Sequence, residues 1–318
     1  MVSRRRIKRS LRTNFKPGTY WYYDRAKLRL AQLAHLPGLL AGGRLDRPIF
    51  IVGAPRSGTT LLYTILRAHR LLAHWRPSEA HEVWEADYHP MLRGWSSNVL
   101  TEDDVEPAAA ARIERSLYLV AGPRKRLVDK TPRNVLRIPF IDALFPDAHY
   151  VYLLRDGREN VNSLINAWRS ERYKTYLLPE PHRIPGADPR WWKFVLYPGW
   201  REDLDGPLEV VCARQWAFSN DFVLAARSKI DPERWHEVRY EDLADDPVAE
   251  VSRLLDELGL GRDEAVIAQA ERARSVPVNA VTPPERGKWR RENPEEVRAV
   301  LPLIKATAEA MGYEVDED

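Results

Sequence analysis

The residues with the clearest chemical potential are Gly53-Ala54-Pro55-Arg56-Ser57-Gly58-Thr59-Thr60. The G-x-x-x-x-G spacing lets a backbone curl until successive N–H groups converge on one anion, and the N-terminus of a following helix adds partial positive charge. The hydroxyls of Ser57, Thr59 and Thr60 supply further donors. An apolar run precedes this segment and a run of helical periodicity follows it, the order that a phosphate cradle needs. In nucleotide-triphosphatase loops of this spacing a Lys follows the second glycine and reaches the β- and γ-phosphates. Here Thr59 takes that position, and the cation, Arg56, lies inside the loop. Such a loop suits a 5′-phosphate carrying one transferable group better than a metal-chelated triphosphate.

A second anion site is encoded at Leu154-Arg155-Asp156-Gly157-Arg158-Glu159-Asn160-Val161-Asn162-Ser163. Arg155 falls at the end of an apolar strand, and Ser163 falls two turns into the helix that follows. The two can reach one phosphate together. Surface ion pairs among Arg155, Asp156 and Arg158, which contribute little to stability, are the alternative use of these charges. Two anion sites on one sheet suggest a nucleotide phosphorylated at two places.

The elements that must position these loops follow from periodicity. Pro48 to Gly53 (PIFIVG) is a continuous apolar run, as expected of a strand buried on both faces of a parallel sheet. Leu127-Val128, His149 to Leu154 and His236 to Tyr240 are further strand candidates. Helical spacing marks Asp24 to Leu36 (ended by Pro37-Gly38), Ser57 to His69, Val135 to Phe145 (ended by Pro146) and Gly157 to Trp168. It recurs over Val211 to Ala226, Val248 to Leu258 (closed by Gly259) and Glu295 to Met311 (ended by Gly312). Strands alternating with helices predict an α/β fold, a doubly wound parallel sheet of P-loop type flanked by helices. No internal repeat or linker divides the chain. It reads as a basic arm and N-terminal helix (1–46), a single α/β domain (47–313) with a helical and aromatic insertion at about 168–207, and an acidic tail (314–318).

Composition narrows the function classes. With 44% apolar and 30% charged residues, the 318-residue chain is neither disordered, collagen-like nor disulfide-stapled. Lys and Arg number 49 against 46 Asp and Glu, and a net charge of +3 argues against a nucleic-acid footprint over the whole protein. Cys212 is the single cysteine, so the chain has no internal disulfide and no Cys-based metal site. The eight His residues offer no metal pair, and His69, His149 and His236 read as core or surface packing residues. No apolar run approaches the ~18 residues of a membrane span. Leu28 to Leu40 is interrupted by Arg29, Gln32, His35 and Pro37, and the basic start lacks the apolar region of a signal peptide. A cytoplasmic protein is expected. The basic arm, followed by Tyr20, Trp21, Tyr22 and Tyr23, reads as a solvated tail or as a weak contact with anionic lipid or an acidic acceptor.

Pro55-Arg56-Ser57-Gly58-Thr59-Thr60 resembles the 5′-phosphosulfate loop of the PAPS-dependent sulfotransferases, and Arg155 with Ser163 resembles their 3′-phosphate pair. The resemblance runs over roughly residues 47–313. It includes Asp129-Lys130-Thr131-Pro132, Val238-Arg239-Tyr240-Glu241-Asp242-Leu243 and Gly287-Lys288-Trp289-Arg290, in the family's order. It is strongest to the bacterial branch that also resembles tyrosylprotein sulfotransferases. The cytosolic phenol and steroid enzymes carry Lys where this chain has Arg56.

The resemblance implies PAPS as sulfuryl donor, PAP as product and no metal. It implies that Arg56 stabilises the departing phosphate and that Lys130 stands near the sulfonate. It also implies a catalytic carboxylate in Ser78-Glu79-Ala80-His81-Glu82. Glu79 is the first candidate base, since a Glu beside cations stays ionised and ready to accept the acceptor's proton. Glu82 competes with it, and His81 is either a base or a group that orients the Glu. Tyr240 and Glu241 stand where adenine would rest. Gly287, Lys288 and Arg290, with Arg286, resemble the late loop on the 3′-phosphate side, and Trp289 either stacks on adenine or packs in the core.

Trp168 to Trp200 concentrates Trp168, Tyr173, Tyr176, Trp191, Trp192, Phe194, Tyr197 and Trp200. This stretch forms either an acceptor pocket with apolar walls or a cover over the sheet. A pocket of that kind favours a lipid, aromatic or glycosidic hydroxyl on a small acceptor. Two other classes compete with a sulfotransferase. Thr59 at the Lys position and the lack of a clear Walker-B carboxylate oppose a P-loop kinase or NTPase. The modest charge and the paired anion sites oppose a non-catalytic nucleotide- or membrane-binding protein.

Overall fold

A computed structural model of the chain describes residues 19–76, 79–273 and 285–315; side chains are described from residue 29 onward, residue 31 excepted. The basic arm 1–18, Ser78 and residues 316–318 of the tail lie outside the described residues.

The chain runs α1 (Thr19–Leu40), β1 (Ile49–Val52), α2 (Thr59–Leu66), β2 (Leu72–Ala73), α3 (His81–Tyr88), α4 (Pro107–Ala121), β3 (Arg126–Asp129), α5 (Ile138–Leu144), β4 (His149–Leu154) and α6 (Gly157–Arg169). It continues with β5 (Tyr176–Leu177), β6 (Trp191–Trp192), α7 (Leu208–Arg227), β7 (Trp235–Arg239), α8 (Tyr240–Asp245), α9 (Pro247–Glu257), α10 (Glu264–Ala273), α11 (Trp289–Glu292), α12 (Pro294–Ala299) and α13 (Leu301–Ala310). Five strands form one parallel sheet in the order β2-β3-β1-β4-β7. Strands β5 and β6 form a separate antiparallel hairpin.

The apolar run at β1 is continuous because both of its faces are buried. Ile49 and Ile51 point into a core with Leu62, Ile65, Leu254 and Val266, while Phe50 and Val52 point into the opposite core with Trp84, Phe140 and Trp216. This alternation is the two-residue period of a strand. Helix α2 packs in the first core and α6 in the second. The two helices that follow the neighbouring strands β1 and β4 therefore cover opposite faces of the sheet. That divergence opens a crevice at the carboxyl ends of β1 and β4, where ligands of doubly wound sheets bind. Both anion loops emerge there.

Several elements depart from the sequence expectation. Helix α1 runs through Pro37 to Leu40 rather than stopping before it. The segment Val135 to Phe145 is a 3-10 turn, Pro132–Leu136, followed by α5. The last helix breaks at Val300, because Pro302 at the second position of α13 donates no backbone N–H. Helices α3, α4, α8, α10 and α11, strand β2 and the β5–β6 hairpin have no counterpart in the sequence expectation. The aromatic insertion carries no α-helix of its own beyond the end of α6, since Pro179, Pro181, Pro185, Pro189 and Pro198 interrupt it. Trp168, Tyr176, Trp192, Tyr197 and Trp200 are all buried in the main core, with Trp192 edge-on to Trp168 at 5.3 Å and to Trp200 at 5.0 Å. Most of the insertion is thus core packing. Val315, within the segment read as an acidic tail, is buried. Among the described residues no helix is long and apolar enough to cross a membrane.

Candidate active site

The loop after β1 takes its shape from its glycines. A Cβ on Gly53 would sit 2.7 Å from the Leu153 carbonyl oxygen of the neighbouring strand and 2.8 Å from Ser57 Oγ. Gly58 has φ +104°, and a Cβ there would lie 2.4 Å from Cδ2 of Tyr240. Only glycine meets both demands. Arg56 adopts a left-handed φ of 72°, a strained conformation for a residue with a side chain. Its guanidinium lies 4.7 Å from the ring centre of Tyr173, and its pKa is lowered by burial and by the nearby Arg155.

Arg155, at the tip of β4, donates through Nη1 to the backbone carbonyl of Arg56 at 2.8 Å and lies 4.3 Å over the Tyr240 ring. The buried Arg155 Nε and Ser57 Oγ have no hydrogen-bond partner among the described residues. A cleft of about 610 Å³ opens above this junction. Arg56, Gly58, Thr59, Thr60, Arg155, Ser163, Tyr240, Gly287, Lys288, Trp289 and Arg290 all line it, so the two sequence-inferred anion sites face one space. Pro55 and Ser57 are buried in the loop beneath, rather than on the cleft wall.

Sequence reasoning missed part of the wall. Arg158, Glu159, Asn162, Asn166, Glu241 and Tyr313 also line the cleft. The signal for some of them was present, because Asn162 and Asn166 share the helical face of Ser163. Asn162 and Asn166 each donate through Nδ2 to Glu292 Oε2, at 2.9 and 2.6 Å, and Lys288 Nζ lies 3.4 Å from the other oxygen of that carboxylate. This network ties the late segment to α6. Trp289 is 1% exposed, and the guanidinium of Arg290 lies 4.6 Å over its ring, so it packs rather than standing open. Tyr313 donates to Glu241 Oε2 at 2.8 Å, and Glu241 Oε1 accepts from the Asp156 N–H at 3.1 Å. Residues 274–284, just before Arg286, lie outside the described residues.

The acid–base candidates gather on the other side of the loop. Lys130, which follows β3, is 2% exposed. Its ammonium donates to Thr60 Oγ1 at 3.0 Å and makes an ion pair with Glu79 Oε1. Thr60 also lines the cleft, so it joins the two centres. The second oxygen of Glu79 pairs with His81 Nε2. Burial would raise the Glu79 pKa, but Lys130 and His81 outweigh it and hold the carboxyl ionised, far below the usual range. Glu82 points to solvent on the first turn of α3. Asp129 is buried under Lys130 and accepts from Trp84 Nε1 at 3.0 Å and Asn134 Nδ2 at 3.1 Å; burial pushes its pKa up to about 7.

Of the aromatic insertion, Tyr173 and Phe194 reach the Arg56 side. Their rings lie 5.6 Å apart, and both residues have left-handed backbones, with φ 61° and 63°. Elsewhere Cys212 is buried, with its thiol pKa raised by burial. His69 is buried and bonded within the fold, and the partly buried His149 and the buried His236 share a 3.0 Å contact, as expected of packing residues.

Similar proteins place this architecture. The chain is 26% identical over 281 residues to the omega-hydroxy-beta-dihydromenaquinone-9 sulfotransferase Stf3 of Mycobacterium bovis, covering 70% of this chain and 65% of that protein. It is 30% identical over 135 residues to human protein-tyrosine sulfotransferase 1, covering 38% of this chain and 35% of that protein. The chain thus spans less than two thirds of either relative. Its fold matches the crystal structure of sulfotransferase STF9 from Mycobacterium avium with a TM-score of 0.56 at 16% identity, over 91% of this chain and 82% of that one. The model of the Sulfotransferase family matches residues 48–184 and 189–264, a span that holds the loop of Arg56, the Glu79–Lys130 pair and the Arg155–Ser163 arm, and the chain belongs to that family.

Proposed function

We propose that this protein transfers a sulfuryl group from PAPS to a hydroxyl of a small-molecule acceptor. The observation that carries this reading is the single cleft of about 610 Å³ onto which both arginine-bearing loops open, linked through Thr60 and Lys130 to the ionised Glu79. A nucleotide with phosphates at two places fits it. The loop N–H groups, Ser57 Oγ and Arg56 suit the 5′ side, and Arg155 and Ser163 suit the 3′-phosphate. Buried donors such as Ser57 Oγ and Arg155 Nε are stable only when an acceptor meets them. Tyr240, Lys288 and Arg290, with the backbone of Gly287, wall in the remainder, and Trp289 supports them from behind.

PAPS supplies the activated sulfuryl group. The chain's own residues do the rest. Arg56 neutralises charge on the departing phosphate, an interaction worth most in a site closed to water. Glu79 takes the proton of the acceptor hydroxyl. Lys130 reaches both Glu79 and Thr60, so a shift toward the loop frees Glu79 from its cation and raises the basicity of that carboxylate. Tyr173 and Phe194 make an aromatic wall beside Arg56 that suits an acceptor with a lipid, aromatic or glycosidic body. The names of the similar proteins, one for an omega-hydroxy compound and one for tyrosine, agree with a hydroxyl acceptor. The same proposal takes residues 47–313 as the catalytic unit and the cytoplasm as its location.

A thermal-shift series tests the reading. PAP in EDTA should raise Tm in a concentration-dependent way, whereas ATP with Mg²⁺ should not. The reverse result would replace the proposal with a kinase or NTPase. Mass spectrometry of extracts incubated with enzyme and PAPS, searched for a gain of sulfonate, then identifies the acceptor.

A further inference from the structure

Behind Glu79 lies a row of buried charged groups that the proposed reaction does not itself use. His81 and Glu85 stand one turn apart on α3 and so share a face. Arg133, on the 3-10 turn Pro132–Leu136 after β3, lies across both and is 6% exposed. Its Nε donates to Glu85 Oε1, and its Nη2 lies 2.7 Å from His81 Nδ1. Glu85 is 0% exposed and also accepts from the Tyr176 hydroxyl at 2.9 Å, with Arg137 Nη2 at 3.6 Å. Tyr176 belongs to the aromatic insertion and in turn accepts from Asn98 Nδ2 at 2.7 Å.

A guanidinium carries donors only and does not deprotonate in a protein. The contact between Arg133 and His81 is therefore a hydrogen bond only if Nδ1 holds a lone pair. A neutral imidazole with that lone pair carries its proton on Nε2, the nitrogen that faces Glu79 Oε2. We infer that Arg133, anchored by Glu85, is a positioning residue: it locks His81 as the neutral Nε2–H tautomer, so that His81 donates to Glu79 and cannot itself act as the base. This rests on Glu79 being the base of the proposed reaction.

The surroundings agree with a neutral ring. Arg133 presses on His81 from the turn after β3, Glu79 faces it from the preceding residues, and Glu85 lies on its own helix. Burial and then Arg133 lower the His81 pKa. Around Glu79 stand Lys130 and Asp129 at the end of β3, Tyr63 from α2, and Arg133 behind His81. A second proton on His81 would break the Arg133 bond and leave two buried cations in contact. The guanidinium spans the two acceptors through separate nitrogens, Nε on Glu85 and Nη2 on His81, a planar fork that a single ammonium nitrogen does not reproduce.

Nitrogen-15 NMR of the imidazoles tests this on the full chain, with His81 assigned by its loss in His81→Asn. His81 should show an unprotonated Nδ1 and a protonated Nε2, with no titration between pH 5.5 and 8.5. A proton on Nδ1, or an ordinary midpoint near pH 6.5, would overturn the inference. This measurement needs no variant of Arg133 to fold. In Arg133→Met, His81 should regain an ordinary titration. The kcat/KM profile should then gain a limb that falls below that midpoint, as the new imidazolium holds Glu79. An unchanged pH profile in a folded Arg133→Met would also overturn it. PAP affinity should stay within about twofold, since Arg133 does not line the nucleotide cleft. Absence of PAP binding in the unmodified protein would instead remove the proposed function and leave the tautomer result standing.

Discussion

Arg155 donates a hydrogen bond to the backbone carbonyl of Arg56 at 2.8 Å, so the two loops that carry the cations are held together by the first guanidinium. The bond uses Nη1 and leaves Nε buried without a partner among the described residues. Arg155 thus fixes the shape of the neighbouring loop and offers a donor to a ligand at once.

Arg155→Ala should therefore weaken PAP binding by about 10–100-fold, the loss of ~1.5–3 kcal/mol expected for hydrogen bonds to a charged group. Arg56→Ala should do the same, and Ser163→Ala should cost less, as a neutral donor does. Isothermal titration checks this, with adenosine as the control ligand. Unchanged PAP affinity in both Arg56→Ala and Ser163→Ala would overturn the site assignment.

Glu79→Gln should keep PAP affinity while kcat falls by about 10²–10⁴-fold, the usual contribution of a positioned base. Single-turnover sulfuryl transfer and isothermal titration on the same preparation separate the two effects. Wild-type turnover in this variant would shift the base to Glu82 or His81.

Gly58→Ala should be poorly tolerated, because φ +104° and the 2.4 Å approach to Tyr240 both oppose a side chain. A cost of about 1–3 kcal/mol is expected for the backbone strain alone, seen as a fall in Tm of several degrees together with weaker PAP binding. Adding Tyr240→Ala removes the clash but not the strain, so the double variant should recover only part of the stability. Full recovery would show that the backbone conformation is not the constraint.

Acid should destabilise the fold at a place remote from the cleft. His149, at the start of β4, has its pKa lowered from 6.5 to about 4 by burial and by Arg126. Between those values the unfolded chain holds a proton that the folded chain does not. Stability is therefore unaffected by His149 above pH 6.5 and is lost as pH falls through that window. With discounting for the partly exposed ring, the loss is about 1–2 kcal/mol by pH 4. Urea unfolding at pH 7 and pH 4.5 should show it, and His149→Asn should flatten the difference. An equal pH dependence in that variant would place the acid-sensitive group elsewhere.

The sequence revealed what is local. The Gly53–Thr60 loop could be read because strand, glycines and helix are contiguous, and Arg155 with Ser163 because each has a fixed place at a strand end or on a helix. The sheet was equally legible from continuous apolar runs such as Ile49–Val52. What depends on register was hidden. Glu79 meets Lys130 only because β3 pairs with β1, setting Phe50 opposite Asp129. Arg133 and His81 lie far apart in the chain, and nothing at either position announced their contact. Helix α4 carries a local signal of its own, Pro107 at its first turn before a run of alanines. The aromatic insertion was ambiguous because tryptophans serve cores and pockets alike, and only packing decides between them.

Tyr313 reaches back to Glu241, which in turn holds the backbone of Asp156. The segment that follows α13 is thereby stitched to the rim of the proposed nucleotide cleft. A fluorophore in place of the exposed Glu314, next to Tyr313, would sit beside that rim and report occupancy directly. A bulkier adduct at the same position would crowd the entrance instead.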